Sequence, residues 1–273
     1  MLDGGSLMVK VLAINGSPRK GKGNTALVLD AFIDGMVEAG ADVDQVYASE
    51  LDIKPCVGEF SCWFDDVGHC YIRDDMQSLY PRLRESDVWV VGTPVFIPLP
   101  GALTNLLNRL MPLIQCIVET KDGRTRARFH PNVRTKRLVL VGVSGWWELD
   151  NFGSVIHVMT ELCKDVGLEF SGSVLRPHAY YMKEKDELTE DGREVLRAAR
   201  RAGRQLVEWG YMSAEALEAV RRPLVDRERF VKDEIEEYTA AVEAMRRPRP
   251  PPKAPKGKPG AAKKGKHKGK KGR

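Results

Sequence analysis

The sequence predicts a doubly wound α/β protein, in which helices cover both faces of a five-stranded parallel sheet. Two observations lead to this fold class. Five short apolar runs alternate along residues 9–210 with five longer segments that have helical periodicity. Each pair of successive strands is also separated by a helix-sized connection, which parallel neighbours need because a tight turn cannot join them.

The expected elements follow in chain order. The five strands are expected at residues 9–14, 42–47, 87–92, 136–143 and 168–174. The five helices are expected at residues 25–39, 74–85, 102–114, 152–166 and 189–210, and two further helices at 213–220 and 226–245. In a sheet of this class, ligands bind at the carboxyl ends of the strands. We therefore expect function in the loops that follow the first, third and fourth strands.

Changes in composition divide the chain into three parts. Residues 1–210 carry the α/β pattern, and residues 211–245 form a helical extension, which is either a dimerisation arm or a packed addition. Residues 246–273 contain 13 of the 43 Lys and Arg residues and no Asp or Glu. This last segment also lacks large apolar side chains to bury, so a disordered basic tail is expected.

The net charge of +5 hides an acidic body, because residues 1–245 carry 30 basic and 38 acidic side chains. The tail is expected either to contact nucleic-acid phosphates without sequence preference or only to aid solubility. The longest apolar runs are strand-sized and residues 1–8 do not resemble a secretory signal, so we expect neither a membrane span nor export. An odd number of cysteines, five, then favours a cytoplasmic protein without a disulfide framework.

The loop NGSPRKGKGNTA, residues 15–26, joins the first strand to the first helix. Its backbone N–H groups, hydroxyls and cations at a helix N-terminus predict an anion site. Residues 16–22 also match the start of the nucleotide-triphosphate loop G-x-x-x-x-G-K, but Gly23 stands where that loop needs a Ser or Thr hydroxyl for magnesium. The expected strands also lack the matching acidic end, so the sequence argues against an ATPase or a kinase.

The loops after the third and fourth strands bring apolar and small residues to the same edge of the sheet. TPVFIPLPG, residues 93–101, follows the third strand, and SGWWELDNF, residues 144–152, follows the fourth. Gly145 permits a close approach of the backbone to a ligand. Trp146 or Trp147 is expected either to cover a flat ligand or simply to pack at the start of a helix.

Three of the five cysteines, Cys56, Cys62 and Cys70, lie in the segment CVGEFSCWFDDVGHC. Their spacing does not match the paired C-x2-C knuckles of a structural zinc site. On spacing alone, a metal site, a redox role and simple burial of small thiols all stay open. Isolated histidines without metal-ligand spacing are interpreted as structural: His130, His157 and His178.

Three segments together resemble the signature segments of the flavodoxin-fold NAD(P)H-dependent FMN reductases, which include the iron–sulfur flavoproteins. They are NGSPRKGKGNT, CVGEFSCWFDDVGHCYIRDDM and GTPVFIPLPGALTNLLNR, and the resemblance extends over residues 8–210. It implies a flavodoxin-like fold whose first loop holds the phosphate of FMN. The implied phosphate contacts are Ser17, Arg19, Asn24 and Thr25, with Arg19 and Thr25 expected outside the core. Because a monophosphate needs no bound magnesium, the loop then has no need of a Ser or Thr hydroxyl at position 23, where Gly23 stands.

The same resemblance implies that the loop after the third strand forms the wall of the flavin ring. The implied wall residues are Thr93, Pro94, Val95 and Phe96, with Gly145 and Trp146 on the rim contributed by the fourth strand. The cysteine segment is expected to lie over or beside the flavin and to supply apolar cover from Phe60, Trp63 and Phe64.

Iron–sulfur members of this family resemble the pattern C-x2-C-x2-C with a fourth cysteine several residues further on. Cys56, Cys62 and Cys70 match three of these positions, but Glu59 occupies the second. A carboxylate is a hard ligand for a cluster iron, which prefers thiolate. The expectation is therefore FMN without a metal cluster.

The expected function is that of an FMN-dependent NAD(P)H oxidoreductase. It would take hydride from NADH or NADPH and pass electrons to a small flat acceptor, such as a quinone, a nitroaromatic or free flavin, and a homodimer is expected. The alternative is a flavodoxin-like or iron–sulfur electron-carrier flavoprotein without its own nicotinamide site. No catalytic acid or base is expected, because hydride transfer to a flavin depends on positioning and electrostatics.

Overall fold

Five parallel strands form the central sheet of the computed structural model, which describes residues 8–121 and 123–246. The strands are β1 (Lys10–Asn15), β2 (Asp42–Tyr47), β3 (Val88–Pro94), β4 (Arg137–Val143) and β5 (Glu169–Arg176). Their spatial order is β2–β1–β3–β4–β5, and every neighbouring pair is parallel. This flavodoxin-like order, with its switch point between β1 and β3, confirms the predicted fold class.

Both faces of the sheet are buried, as the centre of β1 illustrates. Val11, Leu12, Ala13 and Ile14 are each at most 2% exposed. Leu12 and Ile14 belong to the core on one face, whereas Val11 and Ala13 belong to the core on the other. Because successive side chains of a strand point to opposite faces, a continuous apolar run serves two cores at once.

Of the eight α-helices in the described residues, the first seven surround this sheet or follow it directly. They are α1 (Asn24–Glu38), α2 (Ser61–Phe64), α3 (Met76–Glu85), α4 (Gly101–Asn108), α5 (Gly153–Val166), α6 (Glu190–Trp209) and α7 (Ala214–Arg221). Side chains of α3, α4 and α5 fill the first core, and side chains of α1, α6 and α7 fill the second. The sheet is therefore covered on both faces, as a doubly wound fold requires.

Helices α1 and α6 approach each other closely because each has a glycine at the contact. A Cβ atom on Gly35 would lie 1.8 Å from the carbonyl oxygen of Arg200. A Cβ atom on Gly203 would lie 1.9 Å from the carbonyl oxygen of Phe32. This backbone contact fixes the position of α1, whose N-terminus lies at the carboxyl edge of the sheet.

Some element boundaries differ from the sequence predictions for local reasons. The helix predicted at residues 102–114 ends at Asn108 and is followed by a 3₁₀ turn, Met111–Leu113, in which Pro112 has no N–H group to continue an α-helix. Two short hairpins were not predicted, Glu119–Lys121 with Arg124–Arg126 and Lys183–Glu184 with Glu187–Leu188. Their strands are too short to show an alternating pattern.

The chain divides after Arg227 into two compact units. Helix α8 (Arg227–Arg246) begins at the last residue of the first unit and makes up the described part of the second. The domain limits expected at residues 210 and 245 stay predictions, and the expected tail lies outside the described residues apart from Arg246. None of the described helices is both long enough and apolar enough to cross a membrane.

Candidate functional site

A cleft lies at the carboxyl edge of the sheet, where the loops after β1, β3, β4 and β5 meet. The space between these loops is about 530 Å³, part of which is open to solvent. It adjoins the switch point between β1 and β3, where sheets of this class bind ligands.

The loop after β1 lines one side of the cleft. Two hydrogen bonds fix the backbone in the first half of the loop, since Gly16 N–H donates to the carbonyl of Gly92 (2.7 Å) and Arg19 N–H donates to Ser17 Oγ (3.2 Å). Arg19 is exposed as expected, but Thr25 is only 2% exposed, so the expectation that Thr25 lies outside the core is wrong. The structure brings together all four residues assigned to the phosphate: Ser17, Arg19, Asn24 and Thr25.

The N-terminus of α1 opens into this side of the cleft. Its N-cap is Gly23, which has no side chain to bond the first N–H groups, and the first turn contains no acidic residue. A helix N-terminus with free N–H groups attracts anions. A Cβ atom on Gly23 would lie 3.2 Å from Ser17 Oγ and 3.1 Å from Arg19 Cβ. Glycine therefore allows the loop to fold tightly around the start of the helix.

The loop after β3 forms a second, mostly apolar side. Pro94, Val95 and Phe96 line the cleft, and Phe96 is 51% exposed. Val95 N–H donates to the carbonyl of Val143 (2.9 Å), which holds this loop against the end of β4. Thr93 is fully buried and does not line the cleft, because its hydroxyl donates to the carbonyl of Pro94 (2.9 Å). Thr93 thus shapes the turn from within.

The rim after β4 contains Gly145 but neither tryptophan. A Cβ atom on Gly145 would lie 3.2 Å from the ring of Tyr180, so glycine keeps this rim open. Trp146 is 54% exposed and lies outside the lining, although it was predicted to contact the ligand. The Trp147 indole N–H donates to the carbonyl of Val225 (3.1 Å), so that side chain packs away from the cleft.

Sequence reasoning missed the contribution of the loop after β5. Ala179 and Tyr180 line the cleft beside Ser144. Ser144 N–H donates to the carbonyl of Arg176, and Ala179 N–H donates to the carbonyl of Ser144, each at 3.0 Å. The signal was available in RPHAYYM, which follows the fifth predicted strand and therefore had to lie at the same edge of the sheet.

A buried pair of basic side chains, Arg176 and His178, supports the loop after β5. Arg176 and His178 are at most 1% exposed, and His178 Nε2 accepts from Arg176 Nη2 (2.8 Å) and from Leu224 N–H (3.0 Å). Burial, together with the charge of Arg176, lowers the pKa of His178 to about 4. Burial also lowers the pKa of Arg176 to about 9. The histidine is therefore neutral at neutral pH and acts as an acceptor.

The cysteine segment forms a separate cavity of about 770 Å³, lined by Cys56, Cys62, Cys70 and Glu59. Burial raises the pKa of the Cys62 thiol to about 11, and the nearby Cys70, Glu59 and Cys56 add to this effect. Across residues 8–121 and 123–246, no three side chains of His, Cys, Asp or Glu are grouped closely enough to hold a single metal ion.

The apolar cover expected from the cysteine segment does not line the cleft. Phe60 lines the cysteine cavity, and its ring lies 5.3 Å from the ring of Trp63. The Trp63 indole N–H donates to the carbonyl of Met111 (3.1 Å), which ties the segment to the 3₁₀ turn after α4. Phe64 is 69% exposed. Phe60 thus lies at the cysteine cavity, whereas Trp63 and Phe64 are outside its lining.

A match to a family model identifies the family of this chain. The model of the NADPH-dependent FMN reductases matches residues 9–148, just over half of the 273 residues. The chain belongs to this family. The predicted family, the NAD(P)H-dependent FMN reductases, is thereby confirmed.

Curated relatives of this family member are iron–sulfur flavoproteins. One from Methanosarcina thermophila is 33% identical over 102 residues, which are 37% of this chain and 52% of the relative. One from Methanocaldococcus jannaschii is 30% identical over 106 residues, which are 38% of this chain and 53% of the relative. The chain thus spans about half the length of the curated relatives that it matches.

Solved structures of reductases share the fold of this family member. An NAD(P)H:quinone oxidoreductase from Methanothermobacter marburgensis has a TM-score of 0.51 and 19% identity, over 73% of this chain and 97% of that chain. An azoreductase from Bacillus anthracis has a TM-score of 0.51 and 13% identity, over 73% and 99% of the two chains. At these identities the likeness establishes the flavodoxin-like fold.

The residues around the cleft fit FMN. An uncapped helix N-terminus without acidic residues, together with the hydroxyls of Ser17 and Thr25, suits a phosphate. Pro94, Val95 and Phe96 present an apolar surface that suits a flat, weakly polar ring. Gly23 and Gly145 lie where a Cβ atom would come within 3.2 Å of other lining side chains.

Proposed function

We propose that this protein is an FMN-dependent oxidoreductase that takes hydride from NADH or NADPH and passes electrons to a small flat acceptor. The observation that carries the proposal is the joining of two unlike surfaces in one cleft. One surface is the helix N-terminus at Gly23 and Asn24, and the other is the apolar wall at Val95 and Phe96. A phosphate and a planar ring on one molecule need this pairing.

The proposed residue roles follow from the position of each side chain. The N–H groups at the start of α1, the Ser17 hydroxyl and the Arg19 guanidinium bind the phosphate. Pro94, Val95 and Phe96 orient the ring and exclude water from one of its edges. Bound FMN supplies the hydride and electron chemistry, and the protein supplies orientation and electrostatics. Phe96 and Tyr180, each more than half exposed, line the cleft and offer surfaces for a flat acceptor.

The test is an anaerobic reduction of the purified flavoprotein. Flavin is released from the protein and identified by mass, and the flavin-loaded protein is then mixed with NADH and with NADPH. The proposal predicts bleaching of the flavin absorption by at least one donor and multiple turnovers when a benzoquinone is added. A protein that carries FMN but is not reduced by either donor contradicts the reductase proposal and favours the electron carrier. A protein that binds no FMN overturns both.

The second candidate is an iron–sulfur electron-carrier flavoprotein. The observation that favours it is the convergence of Cys56, Cys62 and Cys70 on one cavity. The names of the curated relatives include an iron–sulfur group, and thiolates are the ligands that such groups prefer. Iron content, measured separately from flavin content, distinguishes this candidate from a reductase that contains only FMN.

The proposed setting is the cytoplasm, and the proposed assembly is a homodimer. Exposed aromatic side chains near the cleft, such as Phe96 and Tyr180, support an assembly that covers them. For residues 246–273 we propose salt-sensitive contact with nucleic-acid phosphates, based on their 13 basic residues and lack of acidic ones. Retention on heparin of the full chain, compared with a chain ending at Met245, tests this contact.

A further inference from the structure

The last side chain of β1 is a buried amide at the edge of the sheet where the flavin cleft lies. Asn15 is 0% exposed, although the four residues before it, 11–14, are all apolar. Burying a carboxamide costs free energy unless its polar atoms are hydrogen-bonded. Its position at the strand end, directly before the loop that lines the cleft, therefore indicates a role beyond filling the core.

The side chain of Asn15 points to the face of the sheet that carries α1. Side chains alternate along a strand, and Val11 and Ala13, which share the direction of Asn15, belong to the core that α1 fills. The neighbouring position at the end of β3 is Gly92, where a Cβ atom would lie 2.7 Å from Leu29 Cδ2 of α1. The amide therefore lies on the side of β1 on which the loop leads into α1.

The oxygen of this amide holds the loop. Asn15 Oδ1 accepts from Ser17 N–H at 2.9 Å. Because a backbone N–H can bond only the oxygen of the carboxamide, this contact also fixes which end carries the NH₂ group. Ser17 Oγ accepts from Arg19 N–H (3.2 Å), and the Ser17 carbonyl accepts from the Ser49 hydroxyl (3.3 Å). Asn15 thus anchors the first turn of the loop.

The NH₂ group of the same amide lacks an acceptor. Asn15 Nδ2 is buried and donates to no group among the described residues. Leaving a buried donor unbonded costs free energy, so such a group indicates an acceptor that the described chain does not supply. On the same side of β1, the N-terminus of α1 has no side-chain cap and no acidic residue in its first turn, and it attracts anions. A phosphate oxygen would serve both features.

We propose that Asn15 is a further phosphate-binding residue, whose carboxamide oxygen holds Ser17 in place while its NH₂ group donates to the phosphate of FMN. The inference rests on the proposed function and adds a residue to the four already assigned to the phosphate. It also explains why position 15 is neutral. A carboxylate there would itself interact with the positive end of α1 and would repel the phosphate. Asn15 thus favours FMN over riboflavin, which lacks the phosphate.

The test titrates FMN and riboflavin into the flavin-free wild type and three variants: Asn15→Asp, Asn15→Leu and Asn132→Asp. Asn15→Asp is close in size and keeps an oxygen for Ser17 N–H, but it loses the NH₂ group and adds a negative charge. Asn15→Leu removes both polar atoms and adds no charge. Asn132→Asp is the matched control, because Asn132 is exposed and lies outside the cleft lining.

We expect Asn15→Leu to weaken FMN binding about tenfold or more, because a hydrogen bond to a charged group is lost. Asn15→Asp should weaken it about 100-fold or more, because charge repulsion adds to that loss. Riboflavin should bind both variants about as tightly as it binds the wild type. Asn132→Asp should match the wild type with both ligands.

Nuclear magnetic resonance of the ¹⁵N-labelled protein reports on the NH₂ group itself. Its signals are assigned by their absence from either Asn15 variant. In the wild type they should shift when FMN is added and stay nearly unchanged with riboflavin. A residue that only supports the fold would respond alike to both ligands.

FMN affinity equal to that of the wild type in both Asn15 variants would overturn the proposal. An equal loss of FMN and riboflavin binding would also overturn it, since Asn15 would then serve only the fold, and so would NH₂ signals that respond alike to the two ligands. Urea unfolding of each flavin-free protein shows whether a variant is folded. A wild type that binds no FMN overturns the proposed function and this inference with it, whereas a failure confined to the Asn15 comparisons leaves the proposed function intact.

Discussion

The flavin cleft and the cysteine cavity differ in the exposure of the guanidinium group that lines each of them. The cleft, about 530 Å³, carries its guanidinium on the exposed side chain of Arg19. The cysteine cavity, about 770 Å³, has its guanidinium in the wall, where the Arg109 and Asp74 side chains are 1% and 0% exposed. In the cleft, ligand binding is therefore separable from folding. In the cavity, the charge that faces the site also supports the fold.

The buried ion pair explains why the two sites respond differently to substitution. Burial alone would raise the pKa of Asp74, but hydrogen bonds from Arg109 and from the N–H groups of Lys54 and Met76 lower it below its usual value. Asp74 thus stays ionised inside the protein and needs its partner. The Arg19 side chain has no such role in the fold, because the hydrogen bond from Arg19 to Ser17 comes from its backbone N–H.

The largest expected effect is on stability, from Arg109→Met. This change leaves the Asp74 carboxylate buried without its guanidinium, and breaking a buried pair in this way typically costs roughly 3–5 kcal/mol. Arg19→Met is the matched control and should change the free energy of unfolding by less than about 0.5 kcal/mol. Urea unfolding of the flavin-free protein measures both. Similar losses of unfolding free energy in the two variants would show that the two guanidinium groups do not differ in their contribution to the fold.

The second effect is a pH dependence of stability that arises from the buried His178. The pKa of His178 is about 4 in the folded protein, compared with an ordinary 6.5, because burial and Arg176 disfavour its charged form. Between these values the unfolded chain binds a proton that the folded chain excludes. The contribution of His178 is therefore complete above about pH 6.5 and is lost as the pH falls toward 4, on the order of 3 kcal/mol.

Two histidine variants isolate this effect from other acid-sensitive groups. His178→Asn suits the backbone, which has a φ of 36° at this position. It should flatten the loss of stability between pH 7 and pH 4, because Asn does not titrate. His157→Asn changes an exposed histidine and should keep the wild-type slope. An unchanged slope in His178→Asn would show that the rim does not depend on a neutral imidazole.

The smallest effect, on affinity, concerns the Thr25 hydroxyl at the start of α1. Hydrogen bonds to charged groups are worth roughly 1.5–3 kcal/mol, so Thr25→Val should weaken FMN binding at least about tenfold. Thr25→Ser keeps the hydroxyl and should bind FMN nearly as well as the wild type. Fluorescence titration of FMN into the two flavin-free variants gives the comparison. Equal FMN affinities in the two variants would show that the Thr25 hydroxyl does not bind the phosphate.

The features that the sequence predicted are those set by local pattern and by the topology of the sheet. Residues 11–14 are continuously apolar because this part of β1 is buried on both faces, and NGSPRKGKGNT follows at the strand end where the fold places ligands. The parallel sheet and the position of the loop after β1 at its carboxyl edge followed from these rules. The loop at Ala179 and Tyr180 was predictable in the same way, but the fifth strand end was not considered.

The features that escaped prediction depend on contacts between distant segments. Thr93 turns inward to the carbonyl of Pro94, and Trp147 turns to the carbonyl of Val225, neither of which the spacing of residues reveals. Arg109 and Asp74 are 35 positions apart, so their burial together could not be read from local composition. For the same reason, Glu59 alone was a weak guide to the cysteine cavity, whose wall includes residues of another segment.

The central claim, that the loop after β1 binds the phosphate of FMN, is tested most directly by comparing two cations of that loop. Arg19 lines the cleft, whereas Lys22 is exposed and does not line it. FMN is titrated into the flavin-free Arg19→Ala and Lys22→Ala proteins, with riboflavin, which lacks the phosphate, as the control ligand. We predict that Arg19→Ala weakens FMN binding by about one to two orders of magnitude and that Lys22→Ala changes it less than about threefold. Riboflavin affinity should be the same in both. Equal FMN affinity in the two variants, or an equal loss of riboflavin and FMN binding in Arg19→Ala, would contradict the claim.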